Sequence, residues 1–99
     1  MYVTVWEYRL VADVETFERV YGPDGEWARL FARGDGYLGT SLHRSVEGER
    51  RYLVLDRWES QAAAERFAER HGSEYDRLSR SCEPLWGEEL RMGAFVTVG

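Results

Sequence analysis

Hydrophobic positions along the chain follow two periods, and the switches between them mark out its elements. Residues 2–11, YVTVWEYRLV, alternate with a period of two and are rich in β-branched and aromatic side chains, which predicts a strand. One face carries Tyr2, Thr4, Trp6, Tyr8 and Leu10, and the other Val3, Val5, Glu7, Arg9 and Val11. Asp13 can cap a helix starting at Val14, with Val14, Phe17 and Val20 or Tyr21 on one side. Gly22-Pro23-Asp24-Gly25 interrupts that pattern, because Pro is disfavoured inside a helix. The pattern resumes over Glu26–Arg33, so the spacing predicts a bent or two-piece helical segment capped by Gly34. Strands over Tyr37–Val46 and Arg50–Trp58 flank a Glu47-Gly48-Glu49 turn and form an antiparallel hairpin, with a bulge or close backbone approach at Gly39.

The sharpest switch lies within Tyr52–Tyr75. Alternation through Tyr52, Val54, Asp56 and Trp58 gives way to a spacing near four at Ala63, Phe67, His71 and Tyr75, with Ser60 as a helix N-cap between them. The helix is predicted over Gln61–Ser81, weakened or kinked at Gly72 and ended by Glu83-Pro84. After a connection at 85–88, Glu89–Val98 alternate again as a last strand. The order β-α-β-β-α-β predicts an α+β ferredoxin-like plait: one domain over residues 1–99, a four-stranded antiparallel sheet with two helices on one face. Both faces of the strands carry apolar residues, and two helices cover only one. An open face with Val3, Val5, Leu53 and Leu55 predicts a homodimer through that face.

Composition narrows the partners. A formal net charge of −5 without a basic stripe argues against nucleic acid and against an anionic membrane surface. No apolar run approaches a membrane span and no leader precedes the first strand, so a soluble cytoplasmic protein is expected. The single Cys82 reads as a structural cysteine. Gly22-Pro23-Asp24-Gly25 lacks the glycine spacing and the lysine of a phosphate loop. The chain contains no Asn, which removes any mechanism that needs that side chain.

Few residues carry candidate chemistry. His71, between Phe67 and Tyr75 at helical spacing, is expected to face the sheet, either as a base for a phenolic substrate or as a hydrogen-bonded structural histidine. Trp6 and Trp58 can stack on a flat ligand or serve as core. Tyr8, Tyr52 and Tyr75 can donate to a substrate oxygen or be structural. Asp56 and Arg57 are expected to form an ion pair at a sheet edge or interface. His43 and His71 without a positioned carboxylate make too thin a set for a metal, so none is expected. The charged positions of the long helix read as a solvated face.

Trp58-Glu59-Ser60, the helix with Phe67 and His71, the Gly36-Tyr37-Leu38-Gly39 strand entry and the aromatic first strand together resemble the antibiotic biosynthesis monooxygenase (ABM) domain, in the dimeric α+β barrel superfamily. The resemblance covers about residues 2–98. It implies a pocket between sheet and helices and, in one branch, cofactor-independent oxygenation of polycyclic aromatic molecules to quinones. The asparagine used by that branch falls at Val54, whereas its tryptophan agrees with Trp58. In the haem-degrading branch the three functional positions fall on Tyr8, Phe67 and near Arg77, and none agrees. What the resemblance implies is a cofactor-free monooxygenase for a flat aromatic, polyketide or quinol-like molecule. His71 would be the base, Tyr8 and Tyr75 the hydrogen-bonding groups, and Trp6, Trp58 and Phe67 the walls. The alternative is a non-catalytic dimeric binding or accessory protein of the same fold; a haem-binding or haem-degrading protein ranks below both.

Overall fold

Four strands, β1 (Tyr2–Leu10), β2 (Tyr37–Arg44), β3 (Arg51–Trp58) and β4 (Trp86–Val96), pair antiparallel in the order β2-β3-β1-β4. The computed structural model describes residues 1–11, 13–48 and 50–99. Helices α1 (Val14–Tyr21), α2 (Glu26–Phe31) and α3 (Gln61–Cys82) complete a ferredoxin-like fold. Local chemistry starts the helices as the sequence predicts. The Asp13 carboxylate accepts from the Thr16 amide at 3.1 Å, and Ser60 Oγ accepts from the Ala63 amide at 3.1 Å. The Gly22–Gly25 break separates α1 from α2.

Register decides which side chains meet. Trp6 lies opposite Val54 and Arg91, and Tyr8 opposite Tyr52 and Glu89. These residues therefore share the face that the helices cover, where Tyr8, Leu10, Tyr52, Val54 and Trp58 are all buried. Phe17 is completely buried and stacks on Tyr21 at 4.3 Å between centroids. Aromatic contacts run on through Trp27, Phe31, Trp58 and Phe67, so this core is largely a set of interlocked rings. The opposite face carries Val3, Val5, Leu53 and Leu55, with Leu90, Met92 and Phe95 exposed beside them. The register shift expected at Gly39 is present, and its φ of 139° is one that glycine adopts without strain.

Several element ends differ from these expectations. α2 stops at Phe31 with Ala32 as its cap, and the Gly34 amide instead donates to the Phe31 carbonyl in the following turn. Gly34 is tightly packed there: a Cβ would stand 3.0 Å from Phe67 Cδ1 and 3.2 Å from Trp58 Cζ3. β2 ends at Arg44 and β3 begins at Arg51; the predicted turn between them includes Glu49, which lies outside the described residues. β4 starts at Trp86, three residues early, and ends at Val96. Trp86 is drawn into the sheet by pairing with Leu10 and by donating its indole N–H to the Tyr21 hydroxyl at 3.2 Å. Finally, α3 bends at His71 (φ −121°, ψ 22°), next to the glycine expected to weaken it. Among the described residues no helix is long and apolar enough to cross a membrane.

Candidate active site

Two adjoining cavities lie between the sheet and the helices, sharing Trp6, Phe31, Asp56 and Tyr75 as common wall. The inner one, about 180 Å³, adds Tyr8, Tyr21, Trp27 and Glu89. The outer one, about 360 Å³, adds Trp58, Phe67, Asp76 and Arg91. The outer volume alone falls in the range of small-molecule sites, about 300–1,000 Å³. The space exists because α3 presents Ala64, Ala68 and Gly72 to it, four residues apart on one helical face. A larger side chain at any of them would fill the cleft.

Trp6, Tyr8, Trp58, Phe67 and Tyr75 thus all line this cleft, as proposed from the sequence. Their chemistry differs. Trp58 meets Phe31 edge-on at 5.8 Å and Phe67 at 5.4 Å, forming a rigid aromatic wall. The Tyr8 hydroxyl is engaged, donating to Glu89 Oε2 at 2.8 Å, and burial first, then neighbouring Tyr21 and Glu89, push its pKa far upward. Burial likewise raises Tyr75, but its hydroxyl has no hydrogen-bond partner among the described residues and is available to a ligand.

His71 is elsewhere. Its ring tilts against Phe67 at 5.1 Å, and it lines a separate surface cleft with Arg33, Gly34, Asp35 and Arg70. Nδ1 contacts Glu74 Oε2 at 3.1 Å, and the same oxygen accepts from Arg33 at 2.9 Å. The contact with His71, ahead of that with Arg33, holds the Glu74 carboxyl below its usual range. The bend in α3 is the physical reason: non-helical angles at His71 break the face that Phe67 and Tyr75 would otherwise share with it. His43 sits on the open face of the sheet bonded to Ser41, and no group of metal-ligating residues forms among the described residues.

Asp56 needs the larger correction. β3 is an inner strand, so no sheet edge is involved. Arg57 projects to the open face, where it donates to Ser41 Oγ at 2.8 Å, while Asp56 points into the cleft, 5% exposed. Oδ1 accepts from Thr40 Oγ1 at 2.5 Å, and because Thr40 spends its proton there, Tyr37 supplies the next one, to Thr40 Oγ1. Burial, outweighing the Thr40 hydrogen bond, lifts the carboxyl to about 6. The sequence did carry a signal: Asp56 alternates with Tyr52, Val54 and Trp58, an acid on the buried face. Trp27 was also missed. It lines the inner cavity, and its buried indole N–H has no hydrogen-bond partner among the described residues.

Residues 26–73 match the model of the antibiotic biosynthesis monooxygenase family, a stretch that contains Phe31, Asp56, Trp58 and Phe67 but not the residues of β1 and β4. Among solved structures, SnoaB, a cofactor-independent oxygenase from Streptomyces nogalater, superposes with a TM-score of 0.72 at 20% identity, over 99% of this chain and 93% of its own. A dimeric ferredoxin-like protein from an uncultured marine organism gives 0.71 at 12% identity, over 100% and 96%. A variant of MhuD with two manganese protoporphyrin IX molecules bound per active site gives 0.63 at 24% identity, over 100% and 99%. No curated protein matches by sequence. The chain has a ferredoxin-like fold, and its residues 26–73 are similar to the antibiotic biosynthesis monooxygenase family.

Proposed function

We propose that the protein is a monooxygenase-type ABM domain that binds a flat, phenolic aromatic molecule between sheet and helices and oxidises it with dioxygen alone. The observation that carries this reading is the pair of adjoining cavities, walled by Trp6, Phe31, Trp58 and Phe67 and opened by the small residues Ala64, Ala68 and Gly72. Aromatic walls recognise a planar ring system by stacking and burial. Tyr75 offers a hydrogen bond to a ligand oxygen, whereas Tyr8 is already committed to Glu89. The family match and the likeness to a cofactor-independent oxygenase support the reaction class. His71, outside the cleft, has no part in this reading.

The functional unit is proposed to be a homodimer joined through the open face, where Leu90, Met92 and Phe95 are about half exposed. A dimeric relative of the same fold supports it.

The test is calorimetric titration with 1,8-dihydroxyanthrone under nitrogen, then admission of air with quinone absorbance followed in metal- and flavin-free buffer. Binding followed by quinone formation above the buffer rate is expected. Binding without turnover would favour the non-catalytic reading, and no binding by the wild type would end the proposal. Ala68→Leu should lose binding with its melting temperature intact.

A further inference from the structure

We infer that Asp56 is the general base of this cleft, accepting the proton whose removal makes a bound phenolic ring system reactive towards dioxygen. The inference rests on the proposed ligand class and adds the residue that performs the chemistry. Three features single it out.

First is position. Asp56 belongs to the wall shared by both cavities, so a ligand in either meets it. Second is availability. Oδ1 is held by Thr40, while Oδ2 has no protein partner among the described residues and is not sealed from solvent, so it opens on the cavity. A carboxylate with one oxygen anchored and one free is oriented and still able to accept a proton. Third is the surrounding charge. Arg57 faces away, and Asp56 has no salt bridge among the described residues. From β2 it meets Thr40 and, behind it, Tyr37. From α3 come Tyr75 and Asp76, and from β4 Glu89 and Arg91. Glu89 is occupied by Tyr8. Arg91 lines the outer cavity and lies close enough to Tyr75 to stabilise its anion, which suits it to balance charge that develops on a ligand. Burial without a salt bridge makes this carboxylate costly to ionise and lifts it to about 6, near the pH at which a base must work.

The step balances with dioxygen as oxidant. In the keto form of an anthrone a methylene C–H bond breaks, the electron pair stays in the ring system as the enolate, and the proton goes to Asp56 Oδ2. The hydroxyl of the enol form yields the same anion. Overall, the methylene compound and O2 give the carbonyl compound and water.

The experiment uses 1,8-dihydroxyanthrone, with affinity measured under nitrogen and turnover in air across pH 4–9. Wild type should show a turnover limb rising through about pH 6. Asp56→Asn should keep its affinity within about two-fold and lose about 100-fold or more in turnover, with the limb abolished. Should Asp56→Asn fail to fold, Thr40→Val provides a second reading. Loss of the hydrogen bond that favours the ionised carboxylate should move the limb to higher pH. If the anthrone does not bind to wild type, the cleft reading fails and this inference with it. If it binds but is not oxidised, or if Asp56→Asn turns over like wild type, or the Thr40→Val limb stays in place, the assignment to Asp56 is overturned while the cleft stands.

Discussion

Phe67 separates two titratable side chains whose settings are opposite. On one side Asp56 lies buried in the cleft with a single neutral donor and, among the described residues, no salt bridge. On the other, His71 sits in a surface cleft beside Glu74, within reach of Arg33 and Arg70. A histidine is the residue first suspected of base chemistry, because its ordinary pKa is near neutrality. Here the environment reverses the ranking. Burial has brought an ordinary carboxyl into that pH range, while the histidine is engaged by Glu74 in a half-buried surface contact. Chemical readiness follows from what surrounds a group more than from its type.

The strongest test of this contrast is catalytic. Asp56→Asn is expected to cost about 100-fold or more in oxidation of an anthrone, and His71→Ala less than about two-fold, by initial rates of quinone formation. Reversal of the two effects would return the site to His71.

Stability offers a second test, with the opposite sign. The folded-state pKa of Asp56 is raised, so the native protein holds a proton that the unfolded chain releases. Wild-type stability should therefore be greatest, as far as this group is concerned, below about pH 4, and fall as pH rises to about 6. Asp56→Asn removes that loss. By chemical denaturation it should be more stable than wild type by up to about 3 kcal/mol at pH 8, with little difference at pH 4. A variant that is less stable at both pH values would mean that the carboxylate is structural.

Packing next to Phe67 supplies the third. Gly34→Ala places a Cβ against Phe67 and Trp58, and overpacking of that kind costs about 1–3 kcal/mol, again by denaturation. An added methyl at Gly72, which meets nothing within 4 Å, should narrow the cleft with little effect on the fold. The smallest effect is expected on the far side of Phe67. Glu74→Gln breaks the contacts to His71 and Arg33, but exposed pairs of this sort contribute little, and its thermal melt should coincide with that of wild type.

The element order, the helix break at Gly22–Gly25, the cap at Ser60 and the ferredoxin-like topology were all legible in the sequence. Each depends on period, turn chemistry or chain direction, which act over a few residues. Five wall residues of the cleft were legible for the same reason, since alternation fixes the face on which Trp6, Tyr8 and Trp58 lie. Three things required the tertiary structure. The bend at His71 depends on how α3 seats against the sheet, and it moved the expected base out of the cleft. The opening itself depends on Ala64, Ala68 and Gly72 facing large aromatic residues from other elements. The condition of Asp56 depends on burial and on a hydroxyl from the neighbouring strand, sixteen positions away. Local periodicity determined which side chains face inward; only the packing of distant segments decided which of them line the cleft and how each is partnered.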